Sequence, residues 1–212
     1  MRTNKSLNFF VFILFIVLPW LVSGQALYAP WVRVAAVIDG DTIHLANGVR
    51  VRYLGINAPE KEGKGPAEFL AQEAAQFNRR LVLHKEVRLE YGPERQDRFN
   101  RLLAYVFLDN GQFVNGEMVK KGLAHVLYHG LGMERFDELL QLQREAIQDS
   151  RGIWARVLRE SNGGYRGLRK TRRFHRLDCS FGQAIAPENL IWFPSKKEAY
   201  WQGYSPCHNC KP

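Results

Sequence analysis

The sequence predicts an α+β protein: a small β-barrel followed by helices, with a second, metal-stapled module at the C-terminal end. Three observations carry this. Short alternating apolar stretches come first, punctuated by Asn47-Gly48 and Asn110-Gly111. Helical spacing of apolar residues dominates later, most clearly from Glu134 to Asp149, and short strands with a few helices fit a barrel-plus-helices layout. The tail carries His175-x3-Cys179 and Cys207-x2-Cys210, two close pairs of soft ligands.

In chain order, Arg2 and Lys5 precede an apolar run from Phe9 to Val22, with small Ser23-Gly24 behind it. That is the layout of an export signal over residues 1–24. The run is shorter than the roughly 20 apolar residues of a spanning helix, so cleavage after Gly24 or Ala26 is expected rather than retention. Export implies an oxidising, calcium-replete compartment, secreted or periplasmic. A retained segment would instead anchor the chain on the exterior face of a membrane.

The stretch Val37 to Glu60 organises the rest of the chain. Val37-Ile38 and Ile43-His44-Leu45 read as short strands about the acidic turn Asp39-Gly40-Asp41-Thr42. After Asn47-Gly48, whose residues tolerate positive φ, Val49, Val51 and Tyr53 alternate with Arg50 and Arg52. The strand ends at Gly55–Glu60, where Pro59 cannot continue a ladder. The hairpin returns Asp39 and Asp41 towards Arg52 and the loop of Asn57 and Glu60. Oxygen ligands suit a hard cation, positive charge suits equatorial phosphate oxygens, and a carboxylate can act as general base on water. Taken singly these are ordinary charges of a solvated hairpin; the ordered string as a whole points to phosphodiester chemistry.

Further along, Pro66 to Leu81 has the spacing of a helix, through Phe69, Leu70, Ala74, Phe77 and Leu81. Glu86–Tyr91 and Leu102–Leu108 read as strands, and Asn110-Gly111 as a second hairpin turn. Asn115–Lys121 reads as a short helix that Gly122 ends, and Gly152 lies just past the long helix. Arg101 closes Asp97-Arg98-Phe99-Asn100-Arg101, a loop able to aim a planar guanidinium fork at the barrel mouth. Phe99, Tyr128 and His125 can present rings to a base or sugar; Phe99 suits core packing equally. His44 and His129 carry no assignment.

Charge is unevenly distributed. The chain is +9 overall, yet residues 25–155 balance at 17 basic and 17 acidic side chains. Residues 156–176 carry +7. The stretch 156–172 reads as a Gly-containing basic linker, with Arg169, Lys170, Arg172 and Arg173 at its end as candidate phosphate contacts. A polyanion needs a cationic surface somewhere, and the barrel region is neutral; the other reading is a solvated spacer.

The motifs Asp39-Gly40-Asp41-Thr42, Arg52, Pro59-Glu60, Asp97-Arg98-Phe99-Asn100-Arg101-Leu102-Leu103-Ala104-Tyr105 and Lys121-Gly122-Leu123-Ala124 resemble the staphylococcal-nuclease (thermonuclease) family, in that family's order, over residues 31–155. The resemblance implies an OB-fold five-stranded barrel with three helices that hydrolyses DNA and RNA with Ca²⁺. It places the catalytic trio on Arg52, Glu60 and Arg101, and the calcium site on Asp41, Asn57 and the carbonyl of Ala58, with Asp39 supporting from behind. By family position Tyr128 is the ring expected at the nucleic acid, with Arg98 and Phe99 as further candidate contacts. Position 57 departs from the family pattern, which has Asp; an amide oxygen still ligates Ca²⁺, with one charge fewer. Ala58 replaces an expected Thr and keeps its carbonyl. The alternative is a binding-only OB module with a zinc-dependent DNA-contact tail, kept open by Asn57 and opposed by the intact trio. No obligate protein partner is evident.

Residues 173–212 resemble the metal-binding module of Ada-type DNA repair proteins, through Phe174-His175, Asp178-Cys179, Pro187-Glu188-Asn189, Gly203-Tyr204 and Pro206–Pro212. His175 stands where that family has Cys, so methyl transfer is not carried over. Three Cys and one His make a structural Zn²⁺ set, and so small a module needs a staple. A Cys207–Cys210 disulfide is the competing arrangement in an exported chain.

Overall fold

A computed structural model describes residues 30–61, 66–130, 132–157, 159 and 163–212; the expected signal segment lies outside the described residues. Five strands close a barrel: β1 (Val32–Val37), β2 (Thr42–Leu45), β3 (Arg50–Tyr53), β5 (Glu86–Gln96) and β6 (Leu102–Leu108), in the order β1-β2-β3-β6-β5. Beside it β4 (Ile56–Asn57) pairs with β7 (His125–Val126). Register places the catalytic candidates. Thr42 lies opposite Arg52, and Arg52 lies opposite Leu103 in the parallel β3–β6 pair. The Asp39–Asp41 turn, Arg52 and Arg101 therefore share one rim. Gly40 is required there by space: a Cβ would sit 2.5 Å from that of Ala58 and 2.9 Å from that of Ala74.

Three helices cover the barrel, α1 (Ala71–Val82), α2 (Val114–Lys120) and α3 (Phe136–Gln148), with a short α4 (Trp154–Val157) behind them. The first begins later than the spacing predicted. Leu70 has φ 64°, which a right-handed helix cannot include, so the apolar pattern from Phe69 overran the true start. Asn110-Gly111 does make a tight reversal, with the Leu108 N–H donating to the Gln112 carbonyl at 3.0 Å. It leads through one bridge, Phe107 to Phe113, straight into α2 rather than into a partner strand. The core is sealed around Asn115, which is fully buried yet satisfied: its Oδ1 accepts from Val106 N–H at 2.9 Å and its Nδ2 donates to the Leu54 carbonyl at 2.9 Å.

The C-terminal module is a four-stranded sheet of order β10-β8-β9-β11, made of β8 (Tyr165–Leu168), β9 (Arg173–His175), β10 (Leu190–Phe193) and β11 (Ser205–Pro206), with α5 (Ser180–Gln183) and α6 (Lys196–Trp201). This corrects the expected linker 156–172, whose second half is the inner strand β8. Composition misled because Gly167 is a packing residue: a Cβ there would lie 2.5 Å from the side chains of Ile191 and Phe193.

Nor is the module tethered loosely. Trp154, fully buried, meets Tyr200 edge-on at 4.9 Å, and Tyr200 meets Phe174 at 5.1 Å. Ala146, Ile147 and Ile153 of the barrel domain complete this shared core. Gln143 of α3 bridges the two halves: its Oε1 accepts from Val126 N–H at 2.7 Å and its Nε2 donates to the Tyr200 carbonyl at 2.6 Å. Among the described residues no helix is long and apolar enough to cross a membrane.

Candidate active site and metal cluster

The Asp39–Asp41 turn is held from beneath by α1. Asn78, fully buried, donates through Nδ2 to the Asp39 carbonyl at 3.0 Å and accepts the Tyr53 hydroxyl at 2.8 Å. Asp39 Oδ1 accepts the Asp41 N–H at 2.9 Å. Asp41 is buried and turns Oδ2 to the Ala58 N–H at 2.7 Å and to Arg52 at 2.6 Å. Burial raises the Asp41 carboxyl and the Asp39 charge adds to it; Arg52 opposes them, leaving a net rise to about 7. One guanidinium does not offset the desolvation, so further positive charge beside Asp41 would be stabilised.

Arg52 is buried like its partner. Its second terminal nitrogen donates to Asn57 Oδ1 at 2.9 Å. Asn57 Nδ2 lies 3.4 Å from His125 Nε2, and His125 Nδ1 lies 3.0 Å from the Val126 carbonyl. A carbonyl only accepts, so Nδ1 carries the proton and Nε2 accepts from the Asn57 amide. Burial depresses the His125 pKa to about 4, which keeps that arrangement neutral. The amide at 57 thus matches both neighbours, donating to an imidazole and accepting from a guanidinium.

Arg101 approaches the same rim from the loop before β6. Asp97 holds it: Oδ2 accepts from Arg101 Nε and its terminal nitrogen, both at 2.7 Å, while Oδ1 accepts the backbone N–H groups of Phe99 and Arg101. Burial raises the Asp97 carboxyl, but these hydrogen bonds outweigh it and the pKa falls below its ordinary value. Asp97 was within the sequence motif but carried no expected role; its offsets of two and four residues from the N–H groups it accepts are the signal of an Asx-type loop.

Glu60 is exposed at the rim. Partial burial raises its pKa, and the Asp39 charge raises it further, against Arg52 and Arg101. Asp39, Arg52 and Arg101 are all near enough for their charges to act on this one carboxylate. Its backbone N–H donates to Glu68 Oε2 at 3.2 Å.

Of the expected nucleic-acid contacts, Phe99 is exposed, with Arg98 and Arg101 over its ring at 4.8 and 5.5 Å; it is not a core residue. Arg169 and Lys170 are exposed on the turn after β8. Arg172 lies in the inter-module seam, stacked over Phe136 at 4.6 Å and Tyr128 at 5.1 Å. Cation–π contact in a partly desolvated seam holds both groups there.

The ligand atoms of His175, Cys179, Cys207 and Cys210 lie within 4.8 Å of one another, and the three cysteines are unbridged. In a tetrahedral zinc site with bonds of about 2.3 Å, thiolates sit about 3.8 Å apart, so the donor set fits Zn²⁺. The end of β9 supplies His175, the N-cap of α5 supplies Cys179, and the turn after β11 supplies the other two. Of the oxygens expected to ligate calcium, Asp41 Oδ2 and Asn57 Oδ1 both face Arg52 here; carboxylate and amide oxygens are the donor type a hard cation takes.

The barrel, its helices and the rim define an OB-fold nuclease domain carrying a metal-binding tail. Residues 50–156 match the family described as "Staphylococcal nuclease homologue", and residues 161–212 match "Metal binding domain of Ada". The "Thermonuclease" of Staphylococcus hyicus is 32% identical over 127 residues, 58% of this chain and 75% of that protein. "Endonuclease YncB" of Bacillus subtilis (strain 168) is 34% identical over 139 residues, 63% of this chain and 65% of that protein. The "Thermonuclease" of Staphylococcus intermedius is 34% identical over 127 residues, 58% of this chain and 75% of that protein. The chain belongs to the staphylococcal nuclease homologue family, and these relatives support a nuclease hydrolase.

Proposed function

We propose that the chain is an exported, Ca²⁺-dependent nuclease that hydrolyses phosphodiester bonds of DNA and RNA. The observation that carries this is a rim with Arg52 bonded to Asp41 and Asn57, Arg101 held by Asp97, and Glu60 exposed. Glu60 takes a proton from the attacking water, and its raised pKa brings it closer to the proton it must accept. Arg52 and Arg101, pre-held by Asp41 and Asp97, donate to the phosphate oxygens as charge develops. Asp41, Asn57 and the Ala58 carbonyl would hold Ca²⁺, which supplies further positive charge to the phosphate when bound. Asp39 fixes the Asp41 backbone. Arg98, Phe99, Arg169, Lys170 and Arg173 would contact the flanking strand. The tail holds structural Zn²⁺ on His175, Cys179, Cys207 and Cys210.

The full chain should degrade plasmid DNA and single-stranded RNA with Ca²⁺ and stop with a calcium chelator. Binding of both polymers without cleavage in Ca²⁺ or Mg²⁺ would replace this reading with a binding module.

A further inference from the structure

A cleft of about 720 Å³ lies between the catalytic loop and the turn that carries two of the zinc-site cysteines. The barrel domain contributes Asn57 and Glu60, and the C-terminal module contributes Arg173, His208 and Lys211. Phe69 lies at the same cleft with the Arg156 guanidinium 5.3 Å over its ring. The proton transfer and charge stabilisation assigned to the rim use none of the module's side chains, yet its cations line the same cleft as Glu60.

The geometry is built rather than incidental. Cys207 N–H donates to the Phe174 carbonyl, and Lys211 N–H donates back to the Cys207 carbonyl at 3.0 Å. The cluster turn thus sets where His208 and Lys211 project. Arg173 spends one of its five donors on the Pro206 carbonyl at 3.2 Å. Lys211 Nζ lies 3.7 Å from Glu68 Oε1, and the other oxygen of Glu68 accepts the Glu60 N–H. The tail cation thereby offsets Glu68, a carboxylate that would repel a phosphate beside Glu60. The barrel domain has no net charge of its own over residues 25–155, so cations from outside it would add to the positive charge available to a bound strand.

We propose that this cleft seats the substrate strand next to the scissile phosphate, and that Arg173, His208 and Lys211 form a phosphate subsite there. The proposal rests on the nuclease reading of the rim. The single-stranded polymer runs between the two modules, with the catalytic groups on one side and the zinc-held turn on the other. Phe69 offers a base an exposed ring.

The test uses the full, zinc-loaded chain carrying Glu60→Gln, so that the probe survives. The probe is a fluorescein-labelled oligothymidylate of about 12 nucleotides, read by anisotropy between about 50 and 200 mM salt at about pH 8, where an ordinary imidazole is neutral. Lys211→Ala should weaken binding and lower the log–log salt slope by about 0.7, one phosphate contact on a single strand. His208→Ala should weaken binding severalfold with the slope unchanged. Lys85→Ala, an exposed cation that does not line the cleft, should change neither. If Lys211→Ala and His208→Ala both bind like their parent while the wild-type chain cleaves the same oligonucleotide, the subsite is refuted and the nuclease reading stands. If the two variants weaken binding but the wild-type chain cleaves nothing, the subsite is upheld and the catalytic reading falls.

Discussion

Gln143→Leu should destabilise both modules together, because this one amide ties β7, at the floor of the site, to the Tyr200 carbonyl. The side chain is fully buried, so water cannot replace it. Leucine keeps the volume and removes two hydrogen bonds, each worth about 1 kcal/mol net. It also strands the buried Val126 N–H, at a cost of about 1–3 kcal/mol, while the Tyr200 carbonyl keeps the Gly203 N–H at 2.9 Å. Leucine's own apolar burial returns part of this, so a net loss of about 3 kcal/mol is expected. For a protein of this size that lowers Tm by about 6–12 °C. Differential scanning calorimetry of the full chain is the assay. The shared core of Trp154, Phe174 and Tyr200 predicts a single transition in wild type and variant. A Tm within about 2 °C of wild type, or two separate transitions in the wild type, would mean that Gln143 does not join the two modules into one cooperative unit.

Asn57→Asp should lower the Ca²⁺ concentration for half-maximal activity by about tenfold, ~1.4 kcal/mol, through the added ligand charge. It should also cost about 1 kcal/mol of stability by losing the amide contact to His125; an unchanged calcium titration would place Asn57 outside the metal shell. Zinc should be present at one ion per chain by elemental analysis, and Cys207→Ser should release it and lower Tm, since structural metal binding is folding energy. A metal-free native chain with a Cys207–Cys210 disulfide would end the zinc assignment. The pH profile of kcat/KM should fall on the acid side through the raised pKa of Glu60, because only the ionised carboxylate accepts a proton. Asp39→Asn removes a charge that raises that pKa, so it should move the acid limb to lower pH; an unmoved or higher limb would contradict the coupling.

Much of the barrel was legible because strand alternation and turn chemistry are local. Leu102–Leu108 and the Asn47-Gly48 turn are set by residues within a few positions. The catalytic candidates were legible through the order of their motifs, which no single Arg or Glu would have revealed. What escaped the sequence depends on distant partners. Asn78 and Asn115 look like helix-surface amides, and their burial follows from carbonyls far along the chain. Tyr165–Leu168 was hidden by glycines and arginines whose packing partners lie on β10. The union of the two modules was hidden for the same reason: Trp154, Tyr200 and Gln143 meet only after both have folded. Cutting the chain after Ala155 would therefore uncover Trp154 and confound stability with binding, which is why point substitutions are the better probes.

Whether Glu60 is the general base is decided by Glu60→Gln. The exposed rim position should leave Tm, zinc content and oligonucleotide binding as in wild type. Single-turnover cleavage at saturating Ca²⁺ should fall by about 10²- to 10⁴-fold. Cleavage within about twofold of wild type in a folded, substrate-binding variant would contradict that role, since a general base contributes at least about 10²-fold.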